Sequence, residues 1–185
     1  MQLVSRAAPI IEALAGCDVV IIDTETSSLR PHRDGRILAG VGVKPLGGEC
    51  FYLPVRHKNG LFKQATMRQL RLLGDALKGK TLVYHNAKFD MAVLKNDGVD
   101  LVGEETLDTV VLTRLVSEEE PSYALKHLAK KYISEDANVP EKELRRLMRK
   151  NGWKTYDQVP AEMIQDYVAG DLEYTEFFLV KSLNT

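Results

Sequence analysis

Apolar and polar positions follow two rhythms along this chain, and the change between them separates its predicted strands from its predicted helices. Near the start, residues 7–15 read as an amphipathic helix. Val19-Val20-Ile21-Ile22 then forms the centre of an apolar run over 17–26 that reads as a buried strand. Residues 36–44 and 49–55 are two more β-like runs. Pro45-Leu46-Gly47-Gly48 between them predicts an antiparallel hairpin with a longer loop. Over 66–77 the spacing becomes helical, with Met67, Leu70, Leu73 and Leu77 on one side and Gly79 as the stop. Residues 81–85 form a short strand, and Asn86 reads as the N-cap of a helix ending near Gly98. Leu107 closes a further strand ahead of a helix to Val116. Helical segments follow at 122–132 and 141–150, and Pro160 opens a last helix towards Lys181. Strands come first and helices alternate later, so the pattern predicts one mixed α/β domain over residues 1–185.

Composition narrows this picture. With 185 residues, 44% of them apolar, the chain can bury a sizeable core, and it shows no internal repeat or low-complexity linker. Cys17 and Cys50 make neither a metal spacing nor a disulfide framework, which points to a reducing interior. Glu12 interrupts the apolar stretch over 7–15, so it is not a signal sequence, and no run is long enough to span a bilayer. The expectation is a soluble, intracellular and cytoplasmic protein without a membrane partner. A net charge of −1 argues against coating duplex DNA by bulk electrostatics.

Three short acidic motifs occur in a fixed order: Asp23-Thr24-Glu25, Asn86-Ala87-Lys88-Phe89-Asp90 and Tyr167-Val168-Ala169-Gly170-Asp171. In a strand, residues two apart share a face, so Asp23 and Glu25 point the same way at a strand end. Side by side they repel and raise each other's pKa unless a cation sits between them, although a solvated strand end also tolerates such a pair. Asn86 and Asp90 have a helix-capping account of their own, since an acid in the first turn favours the helix dipole. Tyr167 and Asp171 are four apart and share a helix face, which is also an ordinary structural hydrogen-bond spacing. Taken together, four carboxylates and a phenol are the ligand inventory of a phosphodiester-cleaving site with two divalent ions about 4 Å apart. A phenol of reference pKa about 10 is a poor base, so its part there is to orient a water.

The three motifs resemble those of the DEDD superfamily of 3′-5′ exonucleases in its tyrosine-bearing branch. That branch includes the proofreading domains of family A DNA polymerases and the ribonuclease D group. The histidine-bearing branch needs His five residues before the last Asp, where this chain has Asp166. Further segments resemble the polymerase-type domains: Phe51 to His57, Leu107-Asp108-Thr109, and Ala124 to Ala129, which contains Lys126. Leu29 matches a family leucine that wedges against the terminal base.

The resemblance implies a ribonuclease H-like fold with a five-stranded mixed sheet flanked by helices. It implies metal-dependent release of nucleoside 5′-monophosphates from single-stranded or frayed 3′ ends, with two divalent cations, Mg²⁺ or Mn²⁺, as cofactors. Asp23 would bridge both ions, Glu25 and Asp171 would complete one site, and Asp90 would serve the other. Tyr167 would orient the water, and Thr24, Leu29, Asn86 and Phe89 would position the terminal nucleotide. DNA is favoured over RNA as partner, with a polymerase or other replication protein alongside. Ribonuclease D-like RNA trimming is the enzymatic alternative, and a catalytically silent nucleic-acid-binding module is the alternative of another class. An end-trimming enzyme needs only a local cationic rim, for which Lys142, Arg145, Arg146, Arg149, Lys150 and Lys154 are candidates. The same run also reads as a solvated helix face. Trp153 reads as a core anchor, His85 as a neighbour of the second motif, and His57 and His127 as structural.

Overall fold

The computed structural model describes residues 1–184. Its elements in chain order are β1 (Gln2–Leu3), α1 (Ala8–Ala13), β2 (Val19–Thr26), α2 (Pro31–Asp34), β3 (Leu38–Pro45), β4 (Phe51–Pro54), α3 (Met67–Leu77), β5 (Thr81–Tyr84), α4 (Ala87–Asn96), β6 (Thr106–Asp108), α5 (Thr109–Val116), α6 (Leu125–Tyr132), α7 (Val139–Asn151) and α8 (Gln165–Leu183). Two 3-10 turns, Tyr156–Gln158 and Ala161–Met163, lie between α7 and α8. The strands form one mixed sheet of six in the order β1-β4-β3-β2-β5-β6. β2 at its centre runs antiparallel to β3 and parallel to β5. The sixth strand, absent from the five expected, is β1. It pairs only Gln2 with Phe51 and Leu3 with Tyr52, too short a stretch to carry a period-two signal.

The alternation along β2 sorts the molecule into two halves. Val20 and Ile22 enter a core shared with α1, α3 and α4, together with Leu70, Leu73, Leu82, Tyr84 and Val93. Ile21 points the other way, into a second core with Val83, Tyr52, Val168 and Leu172 under α8. α8 comes close to the sheet because β3 offers Gly42 beneath it. A Cβ on Gly42 would lie 2.8 Å from Val168 Cγ1. Among the described residues no helix is long and apolar enough to cross a membrane.

Several helix starts differ from the sequence pattern, each for a local reason. Pro160 is extended and leads into the 3-10 turn, so α8 begins only at Gln165. That turn is committed elsewhere: Glu162 Oε1 accepts the backbone N–H groups of Leu61 and Phe62, at 3.0 and 2.7 Å. α6 begins at Leu125 rather than 122, because Ala124 is extended. Asn86 occupies the N-cap position of α4, but its side chain makes no capping bond and its backbone is left-handed, φ 80°. The capping oxygens come from Asp108, whose carboxylate accepts from Asn86 N at 3.0 Å and Ala87 N at 2.9 Å. The same carboxylate caps α5 through Val110 N at 2.9 Å, joining two helix starts at the end of β6.

Candidate active site

The first motif occupies the C-terminal end of β2, and the strand's alternation divides it. Asp23 and Glu25 lie on the α8 side, in line with Ile21. Thr24 lies on the α4 side, in line with Ile22. The third motif comes down from α8: carboxylate oxygens of Asp23, Glu25 and Asp171 lie within 4.8 Å of one another. Glu25 and Asp171 are buried, and Asp23 is partly buried. Asp23 Oδ2 is buried without a hydrogen-bond partner.

Electrostatics follow from that crowding. Burial, reinforced by the Asp171 charge, pushes Asp23 up to about 7. Burial and the neighbouring Asp23 raise Glu25 well above its ordinary value. Burial also raises Asp171, against the pull of Lys126. Tyr167 is raised well above 10, by burial and then by Glu25 and Asp171, so its hydroxyl stays protonated and is available as a donor. Buried carboxylates crowded in this way favour a positive charge among them.

Asp90 reaches the same strand end from the other face. It is buried on the first turn of α4, where Oδ1 accepts from Thr24 N at 3.0 Å and Thr24 Oγ1 at 2.6 Å. Burial and then the Asp23 charge raise its pKa. Thr24 therefore spends both donors on Asp90. Leu29 stands 85% exposed beyond β2. Asn86 is exposed, and Phe89 is partly buried against the α4-side core.

Three neighbours escaped the sequence reading as site residues. Lys126 on α6 forms an ion pair with Asp171 Oδ1, and its ammonium lies 4.7 Å from the Tyr167 ring centre and 4.9 Å from that of Tyr174. The signal was its position three residues before the buried Ala129, on the inward side of the helix. Tyr156, on the first 3-10 turn, sets its ring 5.4 Å from Tyr167. Only the folded chain brings that isolated turn beside α8. Tyr52, buried under Asp23 and Glu25, bonds His57 Nε2 at 2.7 Å, while His57 Nδ1 meets Val159 O at 2.5 Å. His57 thus has a structural part, as expected. His85 sits beside the second motif, bonding Thr109 Oγ1 at 2.8 Å and Tyr123 O at 2.9 Å. Trp153 packs partly buried on the α8-side core. On α7, Arg145 pairs with Glu141 at 2.7 Å, and Lys142, Arg146, Arg149 and Lys150 are exposed.

The same fold recurs among solved exonucleases. Escherichia coli RNase D, an exoribonuclease involved in structured RNA processing, superposes with a TM-score of 0.65 at 16% identity, over 98% of this chain and 44% of that one. Brucella melitensis NrnC with bound Mg²⁺ gives 0.60 at 20% identity, over 99% and 78%. These likenesses show the fold class, a ribonuclease H-like mixed sheet flanked by helices. Within that class, this chain belongs to the 3′-5′ exonuclease family of DNA polymerase A, whose model matches residues 4–184. Relatives by sequence include DNA polymerase I of Borreliella burgdorferi, 26% identical over 168 residues, or 90% of this chain and 17% of that protein. DNA polymerase DpoZ of Salmonella phage PMBT28 is 28% identical over 160 residues, 83% and 24%. The chain therefore spans a quarter or less of these two polymerases.

Proposed function

We propose that this 3′-5′ exonuclease domain removes nucleotides from single-stranded or frayed DNA 3′ ends as 5′-monophosphates, in the manner of a proofreading site. The observation that carries the reading is the trio Asp23, Glu25 and Asp171, with a buried, unpartnered oxygen on Asp23. Clustered carboxylates of this kind fit hard divalent cations, Mg²⁺ or Mn²⁺. Asp23, Glu25 and Asp171 would hold one ion, and Asp23 with Asp90 the other. When bound, such ions supply an acidified water and neutralise charge at the phosphate.

The chain's own residues do the rest. Asp90 is held rigidly by Thr24, so its free oxygen has a fixed direction. The protonated hydroxyl of Tyr167 orients the attacking water. Leu29, exposed beyond the strand end, wedges against the terminal base, with Asn86 and Phe89 alongside and Thr24 acting through Asp90. The exposed cations of α7 guide the strand's phosphates. Sequence kinship to DNA polymerases favours DNA as the substrate and a polymerase as the partner. RNA is the second reading, supported by the likeness to RNase D and to NrnC, which has been solved bound to pGG.

End-labelled single-stranded DNA, duplex DNA and single-stranded RNA, each with Mg²⁺, Mn²⁺ or chelator, test this. A 5′-labelled DNA strand should shorten as a ladder, and a 3′-labelled one should release mononucleotide at once. Undiminished cleavage in chelator or attack from the 5′ end would overturn the reading, and faster loss of RNA would reassign the substrate.

A further inference from the structure

We infer that Lys126 is a positioning residue of this site: a tethered ammonium group that offsets the crowded carboxylates and holds Asp171 and Tyr167 in place together. Three observations converge on it. Its ammonium is ion-paired with Oδ1 of Asp171, the residue that α8 contributes to the trio. It lies against the faces of two tyrosines on the same helix, 4.7 Å from the centre of Tyr167 and 4.9 Å from that of Tyr174. Its side chain is only 16% exposed, and that of Asp171 only 8%. A lysine this enclosed is costly unless paired, and the three contacts together supply the pairing.

The geometry also explains why the cation comes from α6. Asp23 and Glu25 repel Asp171, which would turn its carboxylate outward if nothing held it. Lys126 holds Asp171 through the ion pair, and Tyr174 Oη donates to Ala137 O at 3.0 Å, fixing one of the two rings that flank the ammonium. The ion pair thus keeps the Asp171 carboxylate among the trio. Asp90, which meets Asp23 from the opposite face, needs no such cation because Thr24 supplies two donors.

This inference rests on the trio being a cation site, and the experiment separates the two ideas. Wild type, Lys126→Met, Lys126→Arg and the surface control Lys130→Met are melted in chelator and in saturating Mn²⁺. In chelator Lys126→Met should melt about 5 °C or more below wild type, because it leaves Asp171 facing like charges. Mn²⁺ should recover most of that loss, so the Mn²⁺-induced rise is larger for Lys126→Met than for wild type. Lys126→Arg should stay close to wild type in chelator, and Lys130→Met should match it in both conditions. An equal loss with and without Mn²⁺ would make Lys126 merely a packing residue and overturn the inference. So would a Lys126→Met protein as stable in chelator as wild type. If Lys126→Met does not fold, Lys126→Arg decides: a loss in chelator that Mn²⁺ leaves unchanged overturns the inference, and wild-type behaviour upholds it. Absence of any Mn²⁺ shift in wild type would instead count against the cation site itself.

Discussion

Asp90 and Asp171 are the same residue type, and each approaches the end of β2 on a helix, but from opposite faces and into different company. Asp90 meets a backbone N–H and a hydroxyl of Thr24, two donors set by the strand itself. Asp171 meets a lysine at the end of a flexible side chain, with two like charges within 4.8 Å. One carboxylate is held by the sheet and the other by a balance of charges. The contrast shows that two acids brought to the same strand end need not be held in the same way. The α4 side should resist changes in ions better than the α8 side, while burial raises the acids of both sides and exposes both to pH.

The harshest way to break this comparison is to remove one acid from each side. Asp171→Ala and Asp90→Ala should each abolish cleavage, because either loss removes a carboxylate from the cation site. In chelator the two should part company. Asp171→Ala should melt closer to wild type than Asp90→Ala, since relief of repulsion offsets the lost partner of Lys126, whereas Asp90→Ala leaves Thr24 without its buried acceptor. Melting curves in chelator check this, and the reverse order would undo the contrast.

Tyr167→Phe keeps the ring and removes the hydroxyl that, in the proposed mechanism, orients the water. Misplacing a nucleophile in this way should cost on the order of tenfold to a hundredfold in single-turnover rate. Mn²⁺ affinity should hold. A wild-type rate would leave the phenol a structural group, and lost ion binding would make it a ligand.

The pH response sharpens the comparison further. Asp23 has a folded-state pKa raised to about 7, above its unfolded value near 3.9. Between those values the folded protein holds more protons than the unfolded one, so stability in chelator falls as pH rises through this window. Asp23→Asn removes that dependence. Its melting point should gain on wild type from pH 4 to 8 by roughly several degrees, a difference calorimetry in chelator would read. A gap that stays constant with pH would show that the Asp23 carboxylate is not strained.

The smallest effect is expected for Thr24→Val. It removes one donor of two from Asp90 and keeps the backbone N–H, which should cost about 1 kcal/mol of stability. Activity should fall only severalfold, with the ion requirement unchanged. A loss as large as that of Asp90→Ala would mean the hydroxyl does more than hold Asp90.

Much of this contrast was readable in the chain. Period-two alternation puts Asp23 and Glu25 on one face, and the four-residue spacing puts Tyr167 and Asp171 on another, because both rules depend on local geometry. Asp90 was readable as a first-turn residue of α4. What escaped depends on chain segments that meet only after folding. Asp108 caps two helices from the end of β6, among them the one whose N-cap the pattern assigns to Asn86, and nothing local connects residues 86 and 108. Lys126 sits 45 residues from its acid, and a lysine among helical lysines looks solvated until the fold turns it inward. β1 is too short to announce itself, and Pro160, read as the opening of the last helix, leads into a 3-10 turn instead.

One contact on β3 carries a mechanical consequence. Gly42 is the residue paired across the ladder with Asp23, and it lies under Val168 and Leu172 of α8. Sheet and helix act as the two jaws of a calliper, and Gly42 sets their closest closing. A single methyl added there would act as a shim, lifting α8 away from β2 and carrying Tyr167 and Asp171 with it. The spacing of the acids is thus governed by a residue with no chemistry of its own, at a place where the sheet contributes nothing but backbone.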